Sequence, residues 1–417
     1  MNNQDHTSRI REVYPRNRAN ADRDLYDPEA QEALLRAEQK KQRRRIRNIL
    51  VGLLFAGLVI LIGTFLFRRF ATYNSYAVVW QKDLSEGSLV SYEPFGTGFL
   101  KVSRDGVTCV NGRGTVQWVD TYEMKSPQAS VSGTYAIIAD SKGNEVRIYG
   151  PEGKLGQATT ILPLTRADIA GTGVAAVIEE DASASYIKYL NRDGSEMDIT
   201  IKSILSGDGY PTDLALSPDG QRLMVSFAYL NGGDMRSRVV FYDFSEIGKN
   251  IPNRLVGGFD EPFSDSLVAD VHYMDGTWSF AAGTSGLYFF SSRNLTSPEL
   301  VKEVPETDEI RSLFYSGNYV GVVLDNTETE EHYRLEVYKA DGTQVMKKYF
   351  DETFLTASLD GDCVFLFSSG QGAIYNLSGV RKFSGRLDFA VSAMRLGTLP
   401  GEFLMAGPTN LKGVRLR

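Results

Sequence analysis

One pattern recurs along this chain from residue 76 onward: an apolar, strand-like run with an aromatic near its end, a tight turn containing glycine, then a second run. It reads VTCVNGRGTVQWV from Val107, VRIYGPEGKL from Val146, YIKYLNRDGSEM from Tyr186, VVFYDFSEIGK from Val239, LYFFSSRNLTSPEL from Leu287, LEVYKADGTQVMKKY from Leu335 and AIYNLSGVRKF from Ala373. The markers Tyr149, Tyr189, Tyr242, Phe289, Tyr338 and Tyr375 stand 37 to 53 residues apart. A period of about 40 to 50 residues built from short strands is the spacing of one four-stranded propeller blade. A second element precedes each marker, a turn followed by an apolar strand: SGTYAIIAD at Ser132, AGTGVAAVIEE at Ala170, SPDGQRLMVSF at Ser217, MDGTWSFAAG at Met274, SGNYVGVVLD at Ser316 and DGDCVFLFSSG at Asp360. Together they give the strand order of a blade.

Seven nearly complete units begin near Ser91, Pro127, Leu164, Pro211, Asp265, Glu309 and Phe354, and an eighth, from Asp388, has three strands' worth of residues. AVVWQKDL, Ala77 to Leu84, precedes the first unit and belongs to no other. Pairing it into the last blade closes the ring and removes two exposed sheet edges. The prediction is therefore an all-β, eight-bladed β-propeller over 77–417, closed by the N-terminal strand 77–84. Seven blades is the alternative, if the weakly patterned stretch from Leu164 to Ile201 merges with a neighbour.

Ahead of the repeats, Ile49 to Phe67 reads ILVGLLFAGLVILIGTFLF without a charge, long enough for one helical crossing of a bilayer. No polar face interrupts it, and it ends in Phe67-Arg68-Arg69-Phe70 rather than in a small-residue cleavage site, so it is read as an uncleaved signal anchor in contact with the lipid bilayer. Arg36, Lys40, Lys41, Arg43, Arg44, Arg45 and Arg47 precede it, against Arg68, Arg69 and Lys82 close after it. That asymmetry predicts a single pass of the cell membrane, N-terminus cytoplasmic and propeller extracytoplasmic. Residues 1–48 then form a basic cytoplasmic tail. It is disordered through Asp24, with a juxtamembrane helix capped by Asp27 and opened by Pro28. Residues 68–76 are a linker. The first 70 residues hold 14 basic and 8 acidic side chains in a chain of net charge −7, which leaves −13 for the remainder. Nucleic acid is excluded as a partner on that ground.

Ser217-Pro218-Asp219-Gly220 in LALSPDGQRLMVSF resembles the turn between first and second strands in WD40-like and TolB-like propellers. Hairpins such as VYKADGTQV and VNGRGTVQW resemble the quinoprotein-type repeat. As a whole, the basic stalk, single span and propeller resemble a domain-of-unknown-function family of membrane-anchored propellers from Gram-positive bacteria. The resemblance implies a cell-surface propeller without an assigned activity.

No catalytic residue, cofactor ligand or metal ligand is assigned. His6, His272 and His332 lie in the tail, in a strand and at a hairpin tip, and neither Cys109 nor Cys363 has a CxxC companion. The two cysteines sit in apolar runs and are expected as buried free thiols. The acidic runs Glu179-Glu180-Asp181 and Asp325 to Glu331 lack the spacing of a calcium loop and are read as solvated hairpin tips. The sequons at Asn294 and Asn376 matter only in a glycosylating host. The leading expectation is a binding or scaffolding platform at the cell envelope, not an enzyme, whose partner is a protein or a cell-wall polymer on the propeller face. The alternatives are a hydrolase or lyase using carboxylates at the channel mouth, and a transmembrane sensor. Charged groups with perturbed pKa values at the channel mouth would favour the enzyme, and an apolar patch on one face the platform.

Overall fold

The computed structural model describes residues 28–84, 87 and 90–417. The expectations for the first 24 residues and for the Asp27 cap lie outside them. The chain divides into two compact units with the boundary between Ala71 and Thr72.

The first unit contains one helix, Pro28–Phe70, 43 residues long. Stalk and span are thus one continuous element, because no breaker separates the charged segment from the apolar one. Arg36 pairs with Glu32 one turn earlier at 2.9 Å, an exposed contact that steadies the helix by a few tenths of a kcal/mol. The apolar part, at about 1.5 Å per residue, is about 28 Å long, and its large side chains from Ile49 to Phe67 are exposed within the unit.

The second unit consists of eight antiparallel four-stranded sheets, seven of them made from consecutive strands: blades 1 to 7 at 91–121, 127–159, 164–204, 210–259, 268–305, 310–350 and 356–386. Blade 8 combines 393–416 with the strand Tyr76–Asp83, which pairs with Asn410–Leu416 from Tyr76 opposite Leu416 to Asp83 opposite Asn410. Eight is therefore the count, and the stretch from Leu164 forms a blade of its own. The stretch expected as a linker is shared out differently. The helix runs to Phe70, Tyr73 adds alongside Phe383 on the outer strand of blade 7, and the closing strand begins at Tyr76.

Local chemistry explains the repeat. Gly114, Gly194, Gly342 and Gly379 occupy the same place in four hairpins between third and outer strands, each with φ between 75° and 85°. Each donates its N–H to the carbonyl three residues earlier, a left-handed position that a side chain disfavours. The marker aromatics Tyr149, Tyr189, Phe289, Tyr338 and Tyr375 are buried between blades, while Tyr242 is half-buried. Buried hydroxyls need acceptors, and neighbours supply two of them: Tyr149 donates to Asp120 of blade 1 at 2.9 Å, and Tyr375 to Glu352 at 3.1 Å, whereas the Tyr189 hydroxyl is buried without a partner. Eight apolar clusters fill the eight junctions. Cys109 and Cys363 are buried free thiols in different clusters.

The junction of blades 8 and 1 is the one that the closing strand completes. Trp80 packs against a cluster containing Tyr92, Phe99, Leu404 and Leu411. Its indole lies so close over Gly413 and Gly114 that a Cβ on either would fall within 2.5 Å of the ring. The Tyr92 hydroxyl donates to Gly407 O at 2.7 Å, and the Arg395 guanidinium reaches Gly98 O.

Candidate functional site

The first strand of every blade lies innermost, and together these strands surround a cavity of about 470 Å³ that opens among the turns joining first to second strands. Its chemistry is acidic: Glu93, Asp168, Asp213, Asp270 and Asp360 come from blades 1, 3, 4, 5 and 7. In blades 4 and 5 an irregularity in the ladder falls just before Asp213 and Asp270. Such a bulge re-aims the following side chain.

Three of these acids hold the ring together. Asp168 accepts the Leu216 N–H of blade 4 at 2.7 Å and the Ser130 hydroxyl of blade 2 at 2.5 Å. Asp213 accepts the Val271 N–H of blade 5 at 2.9 Å, and Asp360 the Leu396 N–H of blade 8 at 2.9 Å. Asp270 follows its bulge as Asp213 does, yet its Oδ1 is sealed from solvent without a hydrogen-bond partner. Two guanidiniums approach: Arg166 Nε lies 3.6 Å from Asp213 and Arg395 Nε 3.4 Å from Asp360. His272 stacks on Tyr315, ring centres 4.0 Å apart.

Confinement away from water disfavours charge. It pushes the Glu93 carboxyl up to about 7 and the His272 imidazole down to about 4, so this histidine is neutral. Asp213 and Asp270 are raised far above the carboxylate range, first by burial and then by neighbouring carboxylates, so the pair retains a proton near neutral pH. A carboxyl whose folded pKa lies above its unfolded value of about 3.9 costs stability as pH rises from that value through the folded one. Asp270→Asn, which resembles the protonated acid, should therefore melt above the parent at pH 8.5, by less at pH 5, and level with it only below about pH 4. A difference independent of pH would contradict this charge state.

The acidic runs have other uses. Glu179 is not on a solvated tip: it is buried at the end of a strand, with Lys188 at 3.4 Å. Glu180 accepts the Tyr210 hydroxyl at 2.6 Å, and Asp181 caps the turn by accepting the N–H groups of Ser183 and Ala184. Asp325 is gripped by both ends of the Arg311 guanidinium, at 2.7 and 2.6 Å. Glu328 joins a network around buried Arg334. The Arg334 guanidinium contacts Glu306 at 2.5 Å, and Asp308 and Glu328 at 2.8 Å each. Its Nε stands 2.9 Å from Glu336, a charge contact without hydrogen-bond alignment. Among the described residues, no three His, Cys, Asp or Glu side chains are grouped to hold one metal ion.

The opposite face differs. The second and third strands of blade 4, Arg222–Asn231 and Asp234–Asp243, are 10 residues each and form the longest hairpin among the described strands. Leu230 and Met235 face each other near its tip, 71 % and 57 % exposed. Ile204, the last residue of blade 3, and Leu205, in the connection to blade 4, are exposed as well.

These features define a class: a closed eight-bladed propeller with an acidic channel, preceded by a helix compatible with a membrane anchor. The chain belongs to DUF5711, a family of unknown function, whose model matches residues 69–416. No curated protein matches it in sequence. Among solved structures, Chaetomium thermophilum Sqt1 is similar at 9% identity and TM-score 0.51, over 83% of this chain and 98% of that one. The Neurospora crassa Pan2 WD40 domain is similar at 11% identity and TM-score 0.42, over 69% and 87%. Kuenenia stuttgartiensis hydrazine synthase is similar at 15% identity and TM-score 0.41, over 81% and 98%. The likeness to Sqt1 concerns the fold alone.

Proposed function

We propose that the protein is a membrane-tethered platform, its N-terminus in the cytoplasm and its propeller outside, that docks a protein partner at the cell envelope. The excess of cations before Ile49 supports the orientation. The observation that carries the platform is the long blade-4 hairpin, where Leu230 and Met235, paired across the two strands, leave adjoining apolar surface in water. Contiguous exposed apolar surface marks contact sites, and a protein offers more apolar complement than a cell-wall polymer. A photo-reactive residue at Leu230 should cross-link to one discrete partner in intact cells, and Met235→Asp should abolish the adduct without changing the melt. Absence of any adduct from the hairpin would count against docking there.

The second reading, a hydrolase or lyase, draws on the channel. Glu93, titrating near 7, suits a general acid or base. Against it, Asp168, Asp213 and Asp360 are already committed to backbone N–H groups of adjoining blades. Turnover abolished by Glu93→Gln would favour this reading over the platform.

A further inference from the structure

Most buried polar groups around the channel have an evident structural use. Asp270 does not. A carboxylate oxygen sealed from water and left without a donor is costly; Asp270 Oδ1 is in that position, and the carboxyl's other oxygen, also without a partner, is the one that a ligand in the cavity can reach. We propose that the channel binds a ligand through a primary ammonium group, which donates to Asp270 and Asp213 and lies against the Tyr315 ring. This goes beyond the platform reading, which concerns the opposite face, and does not depend on it.

The lining selects the ligand's charge. Glu93, Asp168, Asp213, Asp270 and Asp360 line it against Arg395, with Arg166 beside Asp213 and His272 neutral, so the wall is net negative even while the Asp213 and Asp270 pair holds one proton, and it repels anions. A metal ion needs several ligands converging on one point, and no such group exists among the described residues. An ammonium has three donors that can serve separated acceptors. Tyr315, 39 % exposed and fixed by its stack on His272, supplies the aromatic face that favours an organic cation. The channel is also closed sideways by the blade-to-blade bonds of Asp168, Asp213 and Asp360, so the site is built before the ligand arrives. Near neutral pH the ammonium replaces the proton held by the Asp213 and Asp270 pair. Binding therefore releases a proton, and affinity for an alkylammonium, which stays charged over this range, climbs between pH 6 and 8.5.

The test is calorimetric titration of the full chain in zwitterionic lipid nanodiscs with glucosamine and with spermidine. N-acetylglucosamine serves as the uncharged control, and calcium chloride is a separate arm. One amine, or both, should bind at one site per chain. Asp270→Asn should weaken binding at least tenfold and Tyr315→Leu several-fold, each variant melting within a few degrees of the parent. Glucosamine alone would identify an amino sugar, spermidine alone a polyamine, and both the ammonium group itself. Binding of neither amine would overturn the proposal. So would N-acetylglucosamine binding as well as glucosamine, Asp270-dependent binding of calcium without amine binding, or full affinity in Asp270→Asn. Should Asp270→Asn fail to fold, Tyr315→Leu decides: unchanged amine affinity overturns the proposal. Cross-linking at Leu230 is unaffected by any of these results, so the platform reading fails or survives separately.

Discussion

Replacing Tyr76–Asp83 by a glycine-serine segment of equal length should lower the melting temperature by more than 10 °C and make the protein associate. The strand supplies the whole outer edge of blade 8, with register contacts from Tyr76 opposite Leu416 to Asp83 opposite Asn410. Without it, Asn410–Leu416 becomes an unpaired edge beside blade 1, and such edges recruit other chains. Trp80→Ala isolates the packing part. Trp80 is half-buried, and losing a large aromatic from a core costs about 3 to 5 kcal/mol, so the low end, about 3 kcal/mol, is expected. Gly413→Val probes the same contact from the other side, since a Cβ there falls 2.3 Å from the indole. A melt unchanged by all three substitutions would mean that the ring does not depend on its closing strand.

Arg334→Met should destabilise by about 3 to 5 kcal/mol, the cost of removing one partner from a buried ion cluster. At about 2.1 cal/mol/K of unfolding entropy per residue, that is about 4 to 7 °C in a propeller of this size. The side chain is 6% exposed and stands among Glu306, Asp308, Glu328 and Glu336. Glu306 is already raised above its ordinary value by burial, then by Glu336. Without the guanidinium all four acids repel and their folded pKa values rise. The deficit is then largest above pH 6 and shrinks toward pH 4, where the acids take up protons. Measuring the melt of both proteins across that range checks the sign. A deficit independent of pH would assign the loss to packing rather than charge.

The fold is legible in the sequence because each blade repeats the same two physical requirements. A left-handed turn needs glycine, as at Gly114, Gly194, Gly342 and Gly379, and an inter-blade core needs one bulky aromatic near a strand's end. The closing strand is legible by exclusion, since AVVWQKDL fits no blade of its own. The channel is not legible in that way. Its acids are contributed singly by different blades, and whether Asp213 or Asp270 faces inward is decided by a one-residue ladder irregularity that leaves no clear mark in composition. One signal does exist: RADI, PTDL and VADV place an aspartate before an apolar residue in the first strands of three successive blades. The Arg334 network escapes for a related reason. Arg334 lies within the strand YRLEVYK, while its partners at 306, 308 and 328 sit in a connection and a hairpin that only the fold brings to it. Glu179 is misplaced by the sequence pattern alone, because EEDASASY reads as a polar turn although its first residue is still inside a buried strand that ends at Glu180.

The central claim, that the ring presents its channel on the outer side of a membrane, can be tested by thiol labelling. Both native cysteines are buried, which leaves a quiet background. Asn318→Cys lies exposed in a turn beside the channel mouth, and Ser8→Cys lies in the tail ahead of the helix. A membrane-impermeant maleimide applied to intact cells should label the cysteine at 318 at once and the cysteine at 8 only after permeabilisation. Labelling in the reverse order would place the propeller in the cytoplasm and contradict the account.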